Sequence, residues 1–168
     1  MKRSFSKPDS ALVIAAHPDD AEFQCGATLA KWAASGTTVH YLICTDGSKG
    51  TWDPDMDQKA LVITRQKEQI AAARRLGSTG SVLFLEQIDG ELQSDLATRS
   101  QVAKVIRQLR PDAILGHDPW RRYRLHPDHR HAGLLAIEGI VAARDPLFFP
   151  EHALDPHRPA VVLLFEAE

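Results

Sequence analysis

The sequence predicts an α/β fold in which a mostly parallel sheet is covered by helices on both faces. Short runs of apolar and β-branched residues recur along the chain, and segments with helical spacing separate them. The first run, residues 11–16, is apolar throughout, which is typical of a central parallel strand buried on both faces. Strands that alternate with helices form right-handed βαβ crossovers, so these elements predict a three-layer, Rossmann-like arrangement.

Each predicted element is bounded by residues that start or stop it. Pro18 and the aspartates after it suit the entry of the first helix, which stops at Ser35 and Gly36. Gly77 stands at a C-cap position of the second helix, and Pro111 closes the third. The predicted strands cover 11–16, 38–44, 82–85, 113–116 and 160–165. The predicted helices cover 21–34, 60–76, 95–109 and a last segment that runs from the histidine cluster near 126 to 143.

Composition limits the classes of function. A chain of 168 residues can bury a core of its own, so we expect residues 1–168 to form a single domain. The formal net charge of -2 provides no broad basic surface, which speaks against nucleic acid as a partner. Because no long apolar segment is present, we expect no signal peptide, no membrane span and a cytoplasmic location. Cys25 and Cys44 are too few for a disulfide framework and suit small buried positions.

Polar clusters follow the predicted strands. His17, Asp19 and Asp20 come directly after the first strand, and a second cluster runs from His126 to His131 after the fourth. Further polar residues that end or follow strands are Asp46, Asp89 and His117. Since the carboxyl ends of parallel strands meet at one edge of the sheet, these side chains are expected to share one site.

Imidazoles and carboxylates in this pattern are the ligands of a divalent metal. A catalytic zinc takes three protein ligands and leaves a position for water. His17 with Asp19 or Asp20 would provide two ligands from one loop, and one of the histidines at 126, 129 and 131 the third. A metal makes hydroxide available near neutral pH, a spare carboxylate can take a proton, and a spare histidine can stabilise an oxyanion. This set suits hydrolysis of an amide or ester. The alternative for each cluster taken alone is a group of helix-capping residues.

Two long motifs and several short ones occur in order along nearly the whole chain. They are Ala16-His17-Pro18-Asp19-Asp20-Ala21-Glu22, Cys25-Gly26-Ala27-Thr28-Leu29-Ala30, Thr45-Asp46-Gly47, Arg65 with Glu68, Leu76-Gly77 and His126-Pro127-Asp128-His129. In these motifs the chain resembles the LmbE-like or PIG-L family of zinc-dependent N-acetylglucosaminyl deacetylases. Glu22 stands one position later than in family members that read Asp-Asp-Glu.

The resemblance implies a role for each matched residue. The metal ligands would be His17, Asp20 and His129, and the general base Asp19. His126 would stabilise the transition state, with Asp128 orienting its ring. Arg65 would help to hold the sugar, as would Asp89. Zinc-bound water would then attack the N-acetyl carbonyl, Asp19 would remove its proton, and acetate and a free amine would result.

The resemblance also implies the cofactor and the partners. Zn²⁺ is the expected metal, although two histidines and one carboxylate also accept Fe²⁺ or another divalent ion. The expected partner is a small-molecule amino sugar, with neither nucleic acid nor membrane, and a homo-oligomer is compatible with the sequence. Because family members are often longer, a C-terminal segment that could wall the site is expected to be missing.

Several assignments stay open at the level of sequence. His117 either contacts substrate or is a structural histidine bonded to a loop. Trp120, with Asp118 and Tyr123, either lines a sugar pocket or packs the loop against the body. Rival functions are an amidase for a thiol–sugar conjugate or an acylated natural product, and a non-catalytic sugar-binding α/β module. A nucleotide-binding module would need Gly-x-Gly-x-x-Gly after the first strand, where this chain has His-Pro-Asp-Asp.

Overall fold

The computed structural model describes residues 7–122 and 125–165. Its strands are β1 (Ser10–Ala15), β2 (Thr38–Thr45), β3 (Val82–Gln87), β4 (Ala113–His117) and β5 (Val161–Phe165). Its helices are α1 (Asp20–Ala34), α2 (Gln58–Arg75), α3 (Leu96–Leu109) and α4 (Pro127–Arg144), with a short 3-10 helix over Pro150–His152. Every strand and helix expected from the sequence is present, and the ends differ from the expected ones by one or two residues.

All five strands run parallel, in the order β3-β2-β1-β4-β5. The apolar strand β1 lies in the centre, where Val13 pairs with Tyr41 of β2 on one side and Leu115 of β4 on the other. After β1 the chain builds outward through β2 and β3, then returns to add β4 and β5. The reversal leaves a crevice beyond the carboxyl ends of β1 and β4, which is where open α/β sheets bind ligands.

The core is divided by the sheet into two halves, as the expected three-layer arrangement requires. Leu12 and Ile14 of β1 lie in a cluster with residues of α3 and α4, such as Ile106 and Leu135. The alternate residues of β1 lie in a second cluster with residues of α1 and α2, which include Leu29 and Ala73. Because successive strand residues point to opposite faces, the continuous apolar run of β1 fills both halves.

Helix α4 approaches the sheet closely at glycines. A Cβ on Gly133 would lie 2.5 Å from the carbonyl oxygen of His117, and one on Gly139 would lie 2.6 Å from Cγ1 of Val102. Glycine therefore lets α4 pack against the end of β4 and against α3. This packing brings the first turn of α4, with its histidines, to the edge of the sheet where β1 ends.

The two cysteines form no disulfide with each other. Cys25 and Cys44 are free thiols; Cys44 is buried and Cys25 is partly so. In residues 7–122 and 125–165, no helix combines the length and apolar character needed to cross a membrane.

Candidate metal centre and catalytic cleft

His17 leaves the end of β1 and lies largely buried, with 8% of its surface exposed. Its Nδ1 lies 3.2 Å from Nε2 of His129, from the first turn of α4. The same Nδ1 lies 3.3 Å from Oδ2 of Asp20, the first residue of α1. The ligand set is closed by His129 Nε2, which lies 3.2 Å from Oδ1 of Asp20. Two nitrogens and one carboxylate thus converge from three elements on one point.

The spacing of these donors fits a metal ion. Ligands that surround a zinc tetrahedrally at roughly 2.0–2.1 Å lie about 3.3 Å from one another. Two imidazoles and one carboxylate also leave coordination positions for water or substrate, as catalytic metal sites do. Each of the three residues offers one ligand atom, and these atoms lie within 4.8 Å of one another. The residues His17, Asp20 and His129 therefore suit a divalent cation.

A second set of possible ligands lies on the other side of the His17 ring and comprises His17, Asp89, His126 and Asp128. Here Nε2 of His17 lies 3.1 Å from Oδ2 of Asp128 and 3.2 Å from Oδ1 of Asp89. Both carboxylates already accept backbone hydrogen bonds, Asp128 from Gly90 at 2.6 Å and Asp89 from Lys49 at 3.1 Å.

The two carboxylates therefore act on the tautomer of His17. A neutral imidazole carries one proton, and on Nε2 it donates toward Asp128 and Asp89. The lone pair of Nδ1 then points at Asp20 and His129, as metal ligation requires. A carboxylate that orients a metal-binding histidine in this way also raises its basicity. Asp128 and Asp89 thus orient His17 for binding a metal together with Asp20 and His129.

Charge at this centre favours a cation. Without a metal, burial lowers the pKa of His17, but hydrogen bonds and charge from Asp20 and Asp89 outweigh it and raise that pKa to about 10. A cation at Nδ1 would therefore bind in exchange for a proton. Burial raises the pKa of Asp20, but the close approach of His117, His129 and His17 to its carboxylate outweighs burial and holds that pKa well below its usual range. Asp20 therefore stays ionised, and its negative charge lies where a metal ion can bind.

Asp19 differs from its neighbour in conformation and in surroundings. It precedes α1 at the N-cap position with φ of 88°, in the left-handed region, and its side chain makes no capping hydrogen bond. The capping role considered for this aspartate is therefore not the one it has. Its side chain is 57% exposed, and Oδ2 accepts a hydrogen bond from Nη2 of Arg65 at 3.1 Å. Burial raises the pKa of Asp19, while the charge of Arg65 opposes that rise.

Arg65 reaches this loop from α2 through a gap between two glycines. Its guanidinium donates to the carbonyl oxygens of Pro18 at 2.8 Å and Gly47 at 3.0 Å. A Cβ on Gly47 would lie 2.7 Å from Nη1 of Arg65, and one on Gly50 would overlap the same atom. The two glycines of the loop after β2 therefore leave the space that the guanidinium of Arg65 occupies.

His126 caps the N-terminus of α4. Its Nδ1 accepts a hydrogen bond from the backbone N–H of Asp128 at 3.3 Å, so the neutral ring carries its proton on Nε2. Burial lowers the pKa of His126, and the nearby His17 and His129 lower it further. The resemblance implies that Asp128 orients the ring of His126. In the structure the carboxylate of Asp128 bonds His17, and only its backbone N–H contacts His126.

These groups border one cleft of about 260 Å³. The residues that line it are His17, Asp19, Lys49, Gly50, Arg65, Asp89, Gly90 and His126. It contains Asp19 and His126, the candidates for proton transfer, and opens onto His17, a candidate metal ligand. The cleft is therefore the place where a substrate would meet the metal.

The remaining candidate residues lie away from the cleft lining. His117 is 1% exposed; its Nε2 accepts from the backbone N–H of Ala16 at 3.2 Å and lies 3.4 Å from Asp20 Oδ2. Its ring stacks on that of His129 with centroids 4.5 Å apart. Of the two roles considered for His117, this geometry favours the structural one. Trp120 is 67% exposed and is not among the lining residues of the described chain, and Tyr123 lies outside the described residues.

Sequence reasoning missed the contribution of Gln69. This side chain of α2 is 2% exposed, and its Oε1 accepts a hydrogen bond from the backbone N–H of Asp19 at 2.8 Å. Gln69 stands four residues after Arg65, so both lie on one face of the helix. The sequence signal that could have indicated Gln69 is its helical spacing: it stands four residues after Arg65 and four before the buried Ala73.

Residues 12–140 match the PIG-L family, described as GlcNAc-PI de-N-acetylase. The chain belongs to the PIG-L family. One similar protein is the diacetylchitobiose deacetylase of Thermococcus kodakarensis, which is 39% identical over 156 residues. The match covers 91% of this chain and 58% of that relative. The family expected from the sequence motifs is thereby confirmed.

The fold of this chain is similar to that of a solved deacetylase. The N,N'-diacetylchitobiose deacetylase of Pyrococcus horikoshii, solved with an inhibitor, superposes with a TM-score of 0.94 at 32% identity. The superposition covers 99% of this chain and 64% of that one. The chain thus spans about three fifths of the length of these relatives.

The chain is also similar to an enzyme named for a different reaction. The 4-oxalmesaconate hydratase of Pseudomonas putida is 29% identical over 173 residues, which covers 94% of this chain and 66% of that protein. The relatives of this chain therefore include an enzyme named for the addition of water rather than for removal of an acetyl group.

Proposed function

We propose that this protein is a metal-dependent deacetylase that removes the N-acetyl group from an N-acetylglucosamine-type sugar or conjugate. The observation that carries the proposal is the cleft in which a three-ligand metal centre is flanked by a carboxylate and a histidine with different surroundings. Relatives named as deacetylases of acetylated amino sugars support the same reaction. The metal ligands proposed are His17, Asp20 and His129.

The protein's own groups divide the proton transfers. Asp19 accepts a proton from water, because Oδ2 is bonded to Arg65 and Oδ1 has no recorded protein partner among the described residues. His126 holds its proton on Nε2 and donates it toward the carbonyl oxygen on which charge develops. A proton passed from either residue to the leaving nitrogen then releases acetate and the free amine.

The other residues hold these groups in place. Asp128 and Asp89 keep the proton of His17 on Nε2. Arg65 orients Asp19 and lines the cleft, where it can also contact a sugar hydroxyl. A divalent cation at the three ligands would acidify water and polarise the amide carbonyl. We propose Zn²⁺ as the natural cation, since two histidines and a carboxylate form a common catalytic zinc set.

Acetate release tests the proposed reaction. Protein purified without chelator is incubated with N-acetylglucosamine, diacetylchitobiose and an N-acetylglucosamine glycoside, and acetate and free amine are measured in equal amounts. We expect release that stops on chelation and returns with added Zn²⁺. His17→Ala is expected to lose the metal, measured by elemental analysis, together with the activity.

Three results would contradict the proposal. Equal acetate release by the metal-free protein would remove the metal from the reaction. Addition of water to 4-oxalmesaconate, with no acetate from any N-acetyl sugar, would favour hydratase chemistry such as that of the Pseudomonas putida relative. Binding of these sugars without turnover would favour the sugar-binding module. A single domain over residues 1–168, a cytoplasmic location and a homo-oligomer stay predictions.

A further inference from the structure

We propose that Gln69 and Glu22 are positioning residues that hold Asp19 in its left-handed conformation and thereby aim its carboxylate into the cleft. The inference rests on the proposed function, in which Asp19 takes the proton from water. It assigns a role to two side chains, one on α1 and one on α2, that neither touch the metal ligands nor reach the reacting atoms.

The backbone of Asp19 needs such support. Its φ of 88° lies in the region that side chains with a Cβ avoid, because the Cβ approaches the carbonyl oxygen. Aspartate tolerates this region better than most residues, commonly with help from a local hydrogen bond of its side chain. Here the side chain makes no capping bond and is directed toward Arg65 instead. The conformation must therefore be held from outside the loop.

Gln69 provides the external contact. Its Oε1 accepts the backbone N–H of Asp19 at 2.8 Å, across 50 positions of sequence. The side chain is 2% exposed, so water does not compete for this bond as it would at the surface. The backbone donor at Asp19 is thus satisfied by a partner that is itself fixed in the core.

Glu22 determines which end of the Gln69 amide faces Asp19. Its Oε1 accepts a hydrogen bond from Nε2 of Gln69 at 2.8 Å. An amide has a donor end and an acceptor end, and a carboxylate can only accept from the donor end. With Nε2 committed to Glu22, Oε1 is left for Asp19. Glu22 belongs to the sequence motif, and this bond gives its position after Asp19 and Asp20 a physical reason.

Two separate contacts from α2 therefore fix Asp19. Arg65 holds its carboxylate, and Gln69 holds its backbone. Asp20, one residue later, receives the backbone N–H of His17 and is surrounded by three histidines, so its position does not depend on α2. Loss of Gln69 should consequently disturb the proton acceptor and leave the metal ligands in place.

Gln69→Met tests the contact because methionine keeps the length of the side chain and removes the acceptor. In metal-free protein labelled with ¹⁵N, we expect the Asp19 amide to exchange with solvent at least about tenfold faster. In the metal-loaded protein we expect kcat for acetate release to fall about tenfold to a hundredfold, with KM and bound metal nearly unchanged. A half-buried glutamine on the same helix supplies the matched control, Gln66→Met, which should alter neither measurement.

The exchanged pair separates the hydrogen bonds from packing. Gln69→Glu alone places two carboxylates in contact and should lose kcat. Adding Glu22→Gln restores a donor and an acceptor in reversed order, because residue 22 now donates to residue 69, which still accepts from Asp19. We expect the double variant to recover most of the activity and the slow amide exchange of the parent protein.

Three outcomes decide the inference. Slow exchange and full kcat in Gln69→Met would overturn it, as would an exchanged pair that stays as impaired as Gln69→Glu. Faster exchange with an unchanged kcat would show that the contact holds the loop without positioning a catalytic group. The amide exchange is read without metal or substrate, so it stands even if no N-acetyl sugar is cleaved. Failure of the proposed function is therefore seen separately, in the absence of acetate.

Discussion

Asp19 and Asp20 are neighbours in the chain but belong to two differently built halves of the site. The metal half, His17, Asp20, Asp128 and His129, is packed at the sheet edge, and Asp20 is 7% exposed. The cleft half, Asp19, Arg65 and His126, faces the opening, and the side chain of Asp19 is 57% exposed. In the proposed function, one half retains the metal ion and the other exchanges a proton.

The two halves also differ in what fixes them. The metal half is assembled from the end of β1, the first residue of α1 and the first turn of α4, and the close packing of α4 on the end of β4 at Gly133 holds it together. In the cleft half, Asp19 is fixed by side chains that come from α2. We therefore expect a substitution in α2 to affect proton transfer, and a substitution at the sheet edge to affect metal binding.

Asp19→Asn should break the cleft half with the largest effect. Asparagine keeps the size of the side chain and can still accept a bond from Arg65, but it cannot take up a proton as a carboxylate does. We expect acetate release to fall roughly a hundredfold to ten-thousandfold, as for loss of a general base. Elemental analysis should find unchanged metal. Loss of metal would show that Asp19 is a ligand and that the two aspartates have exchanged roles.

Asp128→Asn should weaken the metal half by a smaller factor. The amide fills the same space but removes the negative charge that faces Nε2 of His17. Loss of a carboxylate that supports a metal-binding histidine lowers metal affinity by roughly ten- to a hundredfold. Competition with a chromogenic chelator measures this change. Activity at saturating metal should recover much of its value, and a loss that excess metal does not relieve would contradict the assignment.

Gly50→Ala should have the smallest effect on activity, and it tests whether the cleft half can be changed without changing the metal half. The added Cβ would overlap Nη1 of Arg65, and because that atom ends a flexible side chain, the arginine rather than the backbone should move. We expect kcat to fall several-fold while metal affinity and the melting temperature stay close to those of the parent protein. The measurements are steady-state kinetics, the same chelator competition and a thermal melt. A fall in metal affinity equal to that in kcat would mean that the halves are not separable.

Much of this arrangement was within reach of the sequence, and the reason is periodicity. Alternating apolar strands and helices predicted the sheet, and parallel strands bring their carboxyl ends to one edge, so the clusters near His17 and His129 had to meet. The left-handed turn at Asp19 and the bond from Gln69 could not be read in this way. They depend on how α2 is rotated against α1, which is a property of the packed molecule rather than of either segment.

The close approach of α4 at Gly133 has a consequence for cation size. His117 and His129 stack on each other, one at the end of β4 and the other one turn before this glycine. A methyl group at Gly133 would push the helix away from the strand and widen the separation between His129 and the ligands that follow β1. If these residues bind a metal as proposed, the size of ion that they accept would depend in part on a position that has no side chain and touches no ion.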